Sequence, residues 1–210
     1  EGVIKSKGDI LEIAPCQQGE AADRGNILNV FLAASVEFDF EKLTRHVFAS
    51  SSCGLCGKAS IESVRQHFAP VESDIRISPD TIRRLPSKLR SRQDTFSQTG
   101  GLHAAALFGI DGELLAVHED IGRHNAVDKV LGDQFLAGVD MASTILMVSG
   151  RSSFEIMQKA LSAGIPIIAA VSAPSSLAVE FAEESGQTLI GFLRGDSFNV
   201  YSHPKRVAAG

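Results

Sequence analysis

Residues 145–176 read ILMVSGRSSFEIMQKALSAGIPIIAAVSAPSS, and this stretch decides the fold. Ile145–Val148 is a short apolar run that stops at Ser149-Gly150-Arg151, and Ser152–Ala163 follows with helical periodicity. Ile165–Val171 is apolar again and stops at Ser172-Ala173-Pro174-Ser175. Working outward, a helix over Ser175–Ser185, a strand over Thr188–Leu193 and a last strand at Asn199–Tyr201 continue the alternation. Upstream, His103–Phe108 and Glu113–Glu119 flank Gly109-Ile110-Asp111-Gly112, the pattern of a β-hairpin. Gly122-Arg123-His124-Asn125 then opens a helix expected to end by Gly132. Apolar strands alternating with helices imply an α/β architecture, with a mostly parallel sheet covered on both faces and a hairpin at one edge.

The first third is irregular. Ile10–Ala14 and Asn26–Ala34 read as strands, and Phe38–Phe48 mixes apolar and polar residues without a clear period. Ser50-Ser51-Ser52-Cys53-Gly54-Leu55-Cys56-Gly57 has too much Ser and Gly to hold a stiff element and reads as a loop. A helical pattern resumes over Lys58–Phe68. Ser78-Pro79-Asp80 supplies a cap, a first-position Pro and an acid for another helix. Pro86 is expected to interrupt it, and a second helix over Ser87–Gln98 should stop at Gly100-Gly101. The expected boundary lies near Ser97, between a smaller α+β domain over 1–97 and an α/β domain over 98–210.

The 210 residues are 44% apolar and 21% charged, enough for a real core without staples. Lys and Arg number 20 against 25 Asp and Glu, a net −5 that excludes the broad basic field of a non-specific nucleic-acid binder. The basic cluster Arg83, Arg84, Lys88, Arg90 and Arg92 reads as a solvated helix face. No apolar run approaches a membrane span, and residues 1–20 show no secretory pattern. Three cysteines do not form a disulfide framework. A reducing cytoplasm is the expected location, where a Cys-x-x-Cys is catalytic or metal-binding rather than structural.

Two places carry chemistry. Cys53 and Cys56 sit in the Gly/Ser loop beside Lys58, and a thiolate needs such exposure and local positive potential to react. Half of a zinc knuckle is the alternative. Tetrahedral zinc takes four ligands, however, and Cys16, His46 and His67 offer no matching spacing. A thioredoxin-type dithiol would need a βαβ context that is absent here. Sulfur or redox chemistry without a structural metal is therefore expected. The second place is a set of turns that each follow a strand and precede a helix. They are Asp120-Ile121-Gly122-Arg123-His124-Asn125, Ser149-Gly150-Arg151-Ser152 and Ser172-Ala173-Pro174-Ser175. In a parallel sheet these lie along one edge, so three helix N-termini and two arginines face one crevice suited to phosphates. Singly, each turn is no more than a helix cap. Thr99-Gly100-Gly101-Leu102-His103 is a further candidate, equally readable as a helix stop followed by a strand.

The residues Ser51–Lys58 (SSCGLCGK), Thr99–Ala105 (TGGLHAA), Glu119–Lys129 (EDIGRHNAVDK), Ser149–Glu155 (SGRSSFE) and Ser172–Ser176 (SAPSS) together resemble the formate dehydrogenase accessory sulfurtransferase (FdhD) family. The tail Gly191-Phe192-Leu193-Arg194 followed by Phe198–Ser202 is similar too, so the resemblance runs from about Glu1 to Arg206. It implies a cytidine-deaminase-like fold and a sulfurtransferase that matures molybdenum-dependent formate dehydrogenase as a homodimer. A cysteine desulfurase would pass sulfur to Cys53 as a persulfide, with Cys56 as companion. Delivery would go to the molybdenum bis(molybdopterin guanine dinucleotide) cofactor, which GDP should mimic. The resemblance maps the cofactor segment onto Phe192, Leu193, Arg194, Gly195, Asp196 and Ser197. Gly101, His103, Arg123, His124, Asn125, Ser149, Gly150, Arg151 and Ser172 join it from the crevice reading. Neither a membrane nor a nucleic-acid partner is expected. Family members begin with a further strand region before the equivalent of Glu1-Gly2-Val3-Ile4, so part of the small domain is expected to be missing. Two rivals remain. A zinc deaminase would need His-x-Glu and a later Pro-Cys-x-x-Cys, whereas the corresponding turns read His124-Asn125-Ala126 and Ser149-Gly150-Arg151. A cofactor chaperone would bind without transferring sulfur, and the cysteine pair speaks against it.

Overall fold

The computed structural model describes residues 3–17, 25, 27–37 and 68–208. Cys53, Cys56, the loop expected around them and the expected helix as far as His67 lie outside the described residues. The chain divides into compact units, Glu1–Ser50 and Ser51–Gly210. In the first, β1 (Ile10–Pro15) and β2 (Leu28–Leu32) pair antiparallel, with Ile13 opposite Val30.

The second unit is built on a six-stranded sheet. Its strands are β3 (His103–Gly109), β4 (Leu114–Asp120), β5 (Thr144–Val148), β6 (Ile167–Ala170), β7 (Thr188–Arg194) and β8 (Ser197–Val200), in the order β4-β3-β5-β6-β7-β8. The expected hairpin is present at one edge as β3/β4. Only β5, β6 and β7 pair in parallel, while β3 runs antiparallel to both neighbours and β8 to β7. The sheet is therefore mixed rather than mostly parallel. Sequence could not separate the two arrangements, because a strand covered on both faces is apolar whichever way its neighbours run.

Helices cover both faces, as expected. Along β3 the side chains of Ala105 and Leu107 enter one core and those of Ala104, Ala106 and Phe108 the other, the period-2 alternation of a strand. The first core is closed by α3 (Arg123–Ala137), α4 (Phe154–Ser162) and α5 (Ser176–Glu184), with Phe154 and Phe181 meeting edge to face at 5.0 Å. The second is closed by α1 (Pro79–Arg90), which buries Ile82, Leu85 and Leu89. α2 (Asp94–Thr99) links α1 to the sheet.

Three local expectations differ from the structure. α1 runs through Pro86 instead of stopping there, because Ile82, Leu85 and Leu89 share one buried face on both sides of the proline. An interior proline costs about 3 kcal/mol, and burying three large aliphatic side chains at about 1.5–3 kcal/mol each exceeds it. α3 likewise passes Gly132 and ends at Gly138, whose φ of +76° provides the left-handed cap. Finally, α1 was expected in the small domain ending near Ser97, yet it packs on the sheet within Ser51–Gly210. Arg206, 8% exposed, fastens the segment before α1 to that same unit. Its guanidinium donates to the carbonyl oxygens of Ser73 (3.0 Å) and Gly186 (2.7 Å).

Candidate functional site: one edge of the sheet

The pairings make β4, β5, β6 and β7 point the same way and β3 and β8 the opposite way. The carboxyl ends of four strands and the amino end of β3 thus share one edge, where ligands of open α/β sheets collect. His103 pairs with Asp120 across β3/β4, so the Gly101–His103 segment and the turn into α3 are neighbours.

Asp120 braces that turn. Its Oδ1 accepts from the Gly122 backbone N–H (2.8 Å) and from Asn125 Nδ2 (3.1 Å), and its Oδ2 lies 2.6 Å from Lys129 Nζ. The Lys129 ammonium and the Gly122 N–H hold its carboxyl down at about 2. Asn125 is therefore spent on the turn itself. Gly122 at the N-cap of α3 offers no side-chain cap, nor does Ser153 at α4, whereas Ser175 caps α5 by accepting from Ala178 N at 3.2 Å. The three helix starts are not equivalent. N–H groups without a side-chain cap, the kind that receive anions, therefore stand at α3 and α4 but not at α5.

Ser149 extends the β3/β5 ladder: its N–H donates to the Ala104 carbonyl and its Oγ accepts from Ala104 N, both at 2.9 Å. It builds the edge rather than presenting a hydroxyl. Gly150 comes next, and a Cβ there would lie 3.3 Å from His103 Nδ1 and 3.8 Å from Arg123 Cδ. His103, Arg123 and Gly150 therefore stand together. Arg151 is exposed. Among the described residues, Arg123 Nε and Ser152 Oγ are buried without a hydrogen-bond partner. An unsatisfied buried donor costs about 1–3 kcal/mol, and such groups mark where a ligand or water is received.

His124 Nε2 lies 3.1 Å from Ser153 Oγ and 4.0 Å from Glu155. Burial, and then the Arg123 charge, pull its pKa below the ordinary 6.5, so the imidazole is neutral at neutral pH. Burial works to raise the Glu155 carboxyl, but the Ser153 hydroxyl, its own backbone N–H and the facing His124 and Arg123 leave it below its usual value. Ser152 belongs to one of the turns singled out in the sequence, whereas Ser153 and Glu155 are not among the candidate residues read there. The signal available was their place in the SGRSSFE motif, where they read as helix-start residues.

On the far side, Ser172 O accepts from Phe192 N (3.1 Å) and Val171 O from Arg194 Nε (2.9 Å). A Cβ on Gly191 would stand 2.9 Å from Pro174 and 3.0 Å from Tyr201, so only glycine fits between β7 and that turn. Phe192 follows at φ +51°, 41% exposed, where the β7/β8 register shifts. An aromatic residue in the left-handed region is strained backbone, which persists only where the surrounding structure holds it. Leu193 is fully buried, so its side chain is core and not ligand contact. Gly195, Asp196 and Ser197 are exposed at the β7–β8 connection. Gly100, at φ +66°, caps α2 through its N–H to Phe96 O (2.7 Å), which bears out the helix stop, and Gly101 beside it is exposed.

No cluster of three or more His, Cys, Asp or Glu with metal-ligand geometry occurs among the described residues. No helix among them is long and apolar enough to cross a membrane.

Sulfur carrier protein FdhD of Mycobacterium tuberculosis is 51% identical over 215 residues, covering 99% of this chain and 78% of the relative. Its counterpart in Streptomyces coelicolor is 49% identical over 99% of this chain and 76% of its own length. The crystal structure of a candidate formate dehydrogenase accessory protein from Desulfotalea psychrophila superposes with a TM-score of 0.72 at 29% identity, over 99% of this chain and 74% of that one. The model of the FdhD/NarQ family matches residues 1–208, and the chain belongs to that family.

Proposed function

We propose that this chain is a sulfurtransferase that relays sulfur from a cysteine desulfurase to the molybdenum bis(molybdopterin guanine dinucleotide) cofactor of formate dehydrogenase. Cys53 carries the sulfur as a persulfide and Cys56 assists it. The cofactor is the substrate, received at the sheet edge. The observation that supports this reading best is the grouping of His103, Gly150 and Arg123, with its buried, unpartnered Nε, beside the α3 start that lacks a side-chain cap. A guanidinium with open donors and unpaired helix N–H groups is the chemistry that holds a phosphate. The names of the relatives, sulfur carriers and a formate dehydrogenase accessory protein, agree with a thiol that carries and a crevice that receives. Phe192, Arg194, Gly195, Asp196 and Ser197 complete the cofactor site from the β7–β8 side. The protein works in the cytoplasm as a homodimer.

The test is mass spectrometry after incubation with a cysteine desulfurase and cysteine. One added sulfur on the peptide bearing Cys53, lost when the molybdenum cofactor is supplied, is the expected result. Cofactor binding with no sulfur ever found on either cysteine would replace transfer with a chaperone role.

A further inference from the structure

We infer that Arg83, on α1, is a positioning residue for the β7–β8 turn. The inference rests on the reading that residues 192–197 meet the nucleotide part of the cofactor. That turn is a two-residue connection, Gly195-Asp196, between the paired Arg194 and Ser197, with Gly195 at φ +54°. Both residues are exposed, and a short hairpin end with so little buried has small intrinsic stability. Arg83 supplies what the turn lacks. Its Nε donates to the Asp196 carbonyl oxygen at 3.0 Å, and its Nη1 pairs with Asp80 at 2.7 Å. Its guanidinium carbon stands 5.8 Å from the centre of the Phe198 ring, just beyond the turn. One planar group thus grips the turn, the ring behind it and its own helix.

The helix end of this brace is firm. Ser78 caps α1 by accepting from Thr81 N at 3.0 Å, and Ile82, Leu85 and Leu89 are buried beneath it. The contact joins residues 113 positions apart in the chain. A loop tied at its middle to a buried helix loses little further freedom when a ligand binds, which is how positioning residues raise affinity without touching the ligand. Lysine would not substitute, because a single ammonium cannot hold the Asp196 carbonyl and Asp80 in the fixed fork of a guanidinium.

The experiment compares wild type, Arg83→Ala, Arg83→Lys and Arg194→Ala, reading GDP affinity by calorimetry, amide exchange of residues 195–198 and thermal midpoint. Arg83→Ala should weaken GDP binding about 3- to 10-fold, the worth of one net hydrogen bond, and Arg83→Lys should restore less than half of that. Exchange at the turn should quicken while the thermal midpoint stays within about 2 °C of wild type. Unchanged affinity and exchange in Arg83→Ala, with binding lost in Arg194→Ala, overturns the positioning role and leaves the cofactor reading standing. A midpoint lowered well beyond that range, with faster exchange throughout the sheet, marks a general brace and also overturns it. Wild-type protein that fails to bind GDP overturns the cofactor reading and this inference together.

Discussion

Gly150 is the position at which an added side chain would stand beside both His103 and Arg123. It is not among the glycines with positive φ, so an L side chain meets no backbone strain there. A Cβ would sit 3.3 Å from His103 Nδ1 and 3.5 Å from its Cε1, a few tenths of an ångström inside ordinary contact, with Arg123 Cδ at 3.8 Å. In Gly150→Ala the imidazole shifts slightly, and the stiffer unfolded chain returns about 0.4–1 kcal/mol. Stability should therefore hold within about 1 kcal/mol. Gly150→Leu has no such outcome, because its branched end has to enter the space between His103 and Arg123. Losing one charge-assisted contact to a phosphate costs about 1.5–3 kcal/mol, or roughly 10- to 100-fold in affinity. Calorimetric titration with GDP should give about a 3-fold loss for Ala and at least 10-fold for Leu, alongside near-native urea midpoints for Ala. Binding of GDP to Gly150→Leu within about 2-fold of wild type would refute the argument, since a phosphate held beside Arg123 cannot ignore that side chain.

Three further outcomes follow from particular residues. Cys53→Ala should abolish formate dehydrogenase maturation in cells while the purified variant keeps the wild-type urea midpoint, and Cys56→Ala should impair it less. Arg206→Met should cost roughly 2–4 kcal/mol in urea unfolding, because the carbonyls of Ser73 and Gly186 lose their charged donor inside the fold. The third is a pH dependence at His124, whose folded pKa lies below 6.5 through burial and the Arg123 charge, with Lys159 adding to that and Glu155 and Asp128 opposing it. The unfolded chain then binds the proton first, so this contribution is complete above 6.5 and lost as pH falls from 6.5 through the folded value. Urea unfolding from pH 7 to pH 5 should show a shallower decline in His124→Gln than in wild type, and equal slopes would exclude the histidine as the cause.

The readable part of the fold was the part whose residues answer to a single demand. Ile145–Val148 and Ile167–Ala170 are apolar at every position because both faces of those strands are covered, and no competing pattern obscures them. Strand direction was not readable, since β3 is as apolar as its neighbours and yet antiparallel to both. Pro86 and Gly132 read as helix ends because their local cost is visible in the sequence, whereas the buried faces that outweigh it are assembled by tertiary contact.

The same division runs through the candidate site. Glycines and charged residues placed between strand and helix located the turns correctly, since few other residues can start a helix at a crowded sheet edge. What each side chain does there depends on its neighbours across the sheet. Ser149 is consumed by Ala104 and Asn125 by Asp120, leaving Arg123 with a buried donor unspent. Arg83 read as one charge among several on a solvated face because its partner lies at the opposite end of the chain. Lys88 repeats the pattern by reaching the Gly112 carbonyl. A basic residue on an amphipathic helix carries no mark in sequence of whether it will meet water or a distant carbonyl. The turns are legible in the sequence alone, whereas the partners that hold them come only with the fold.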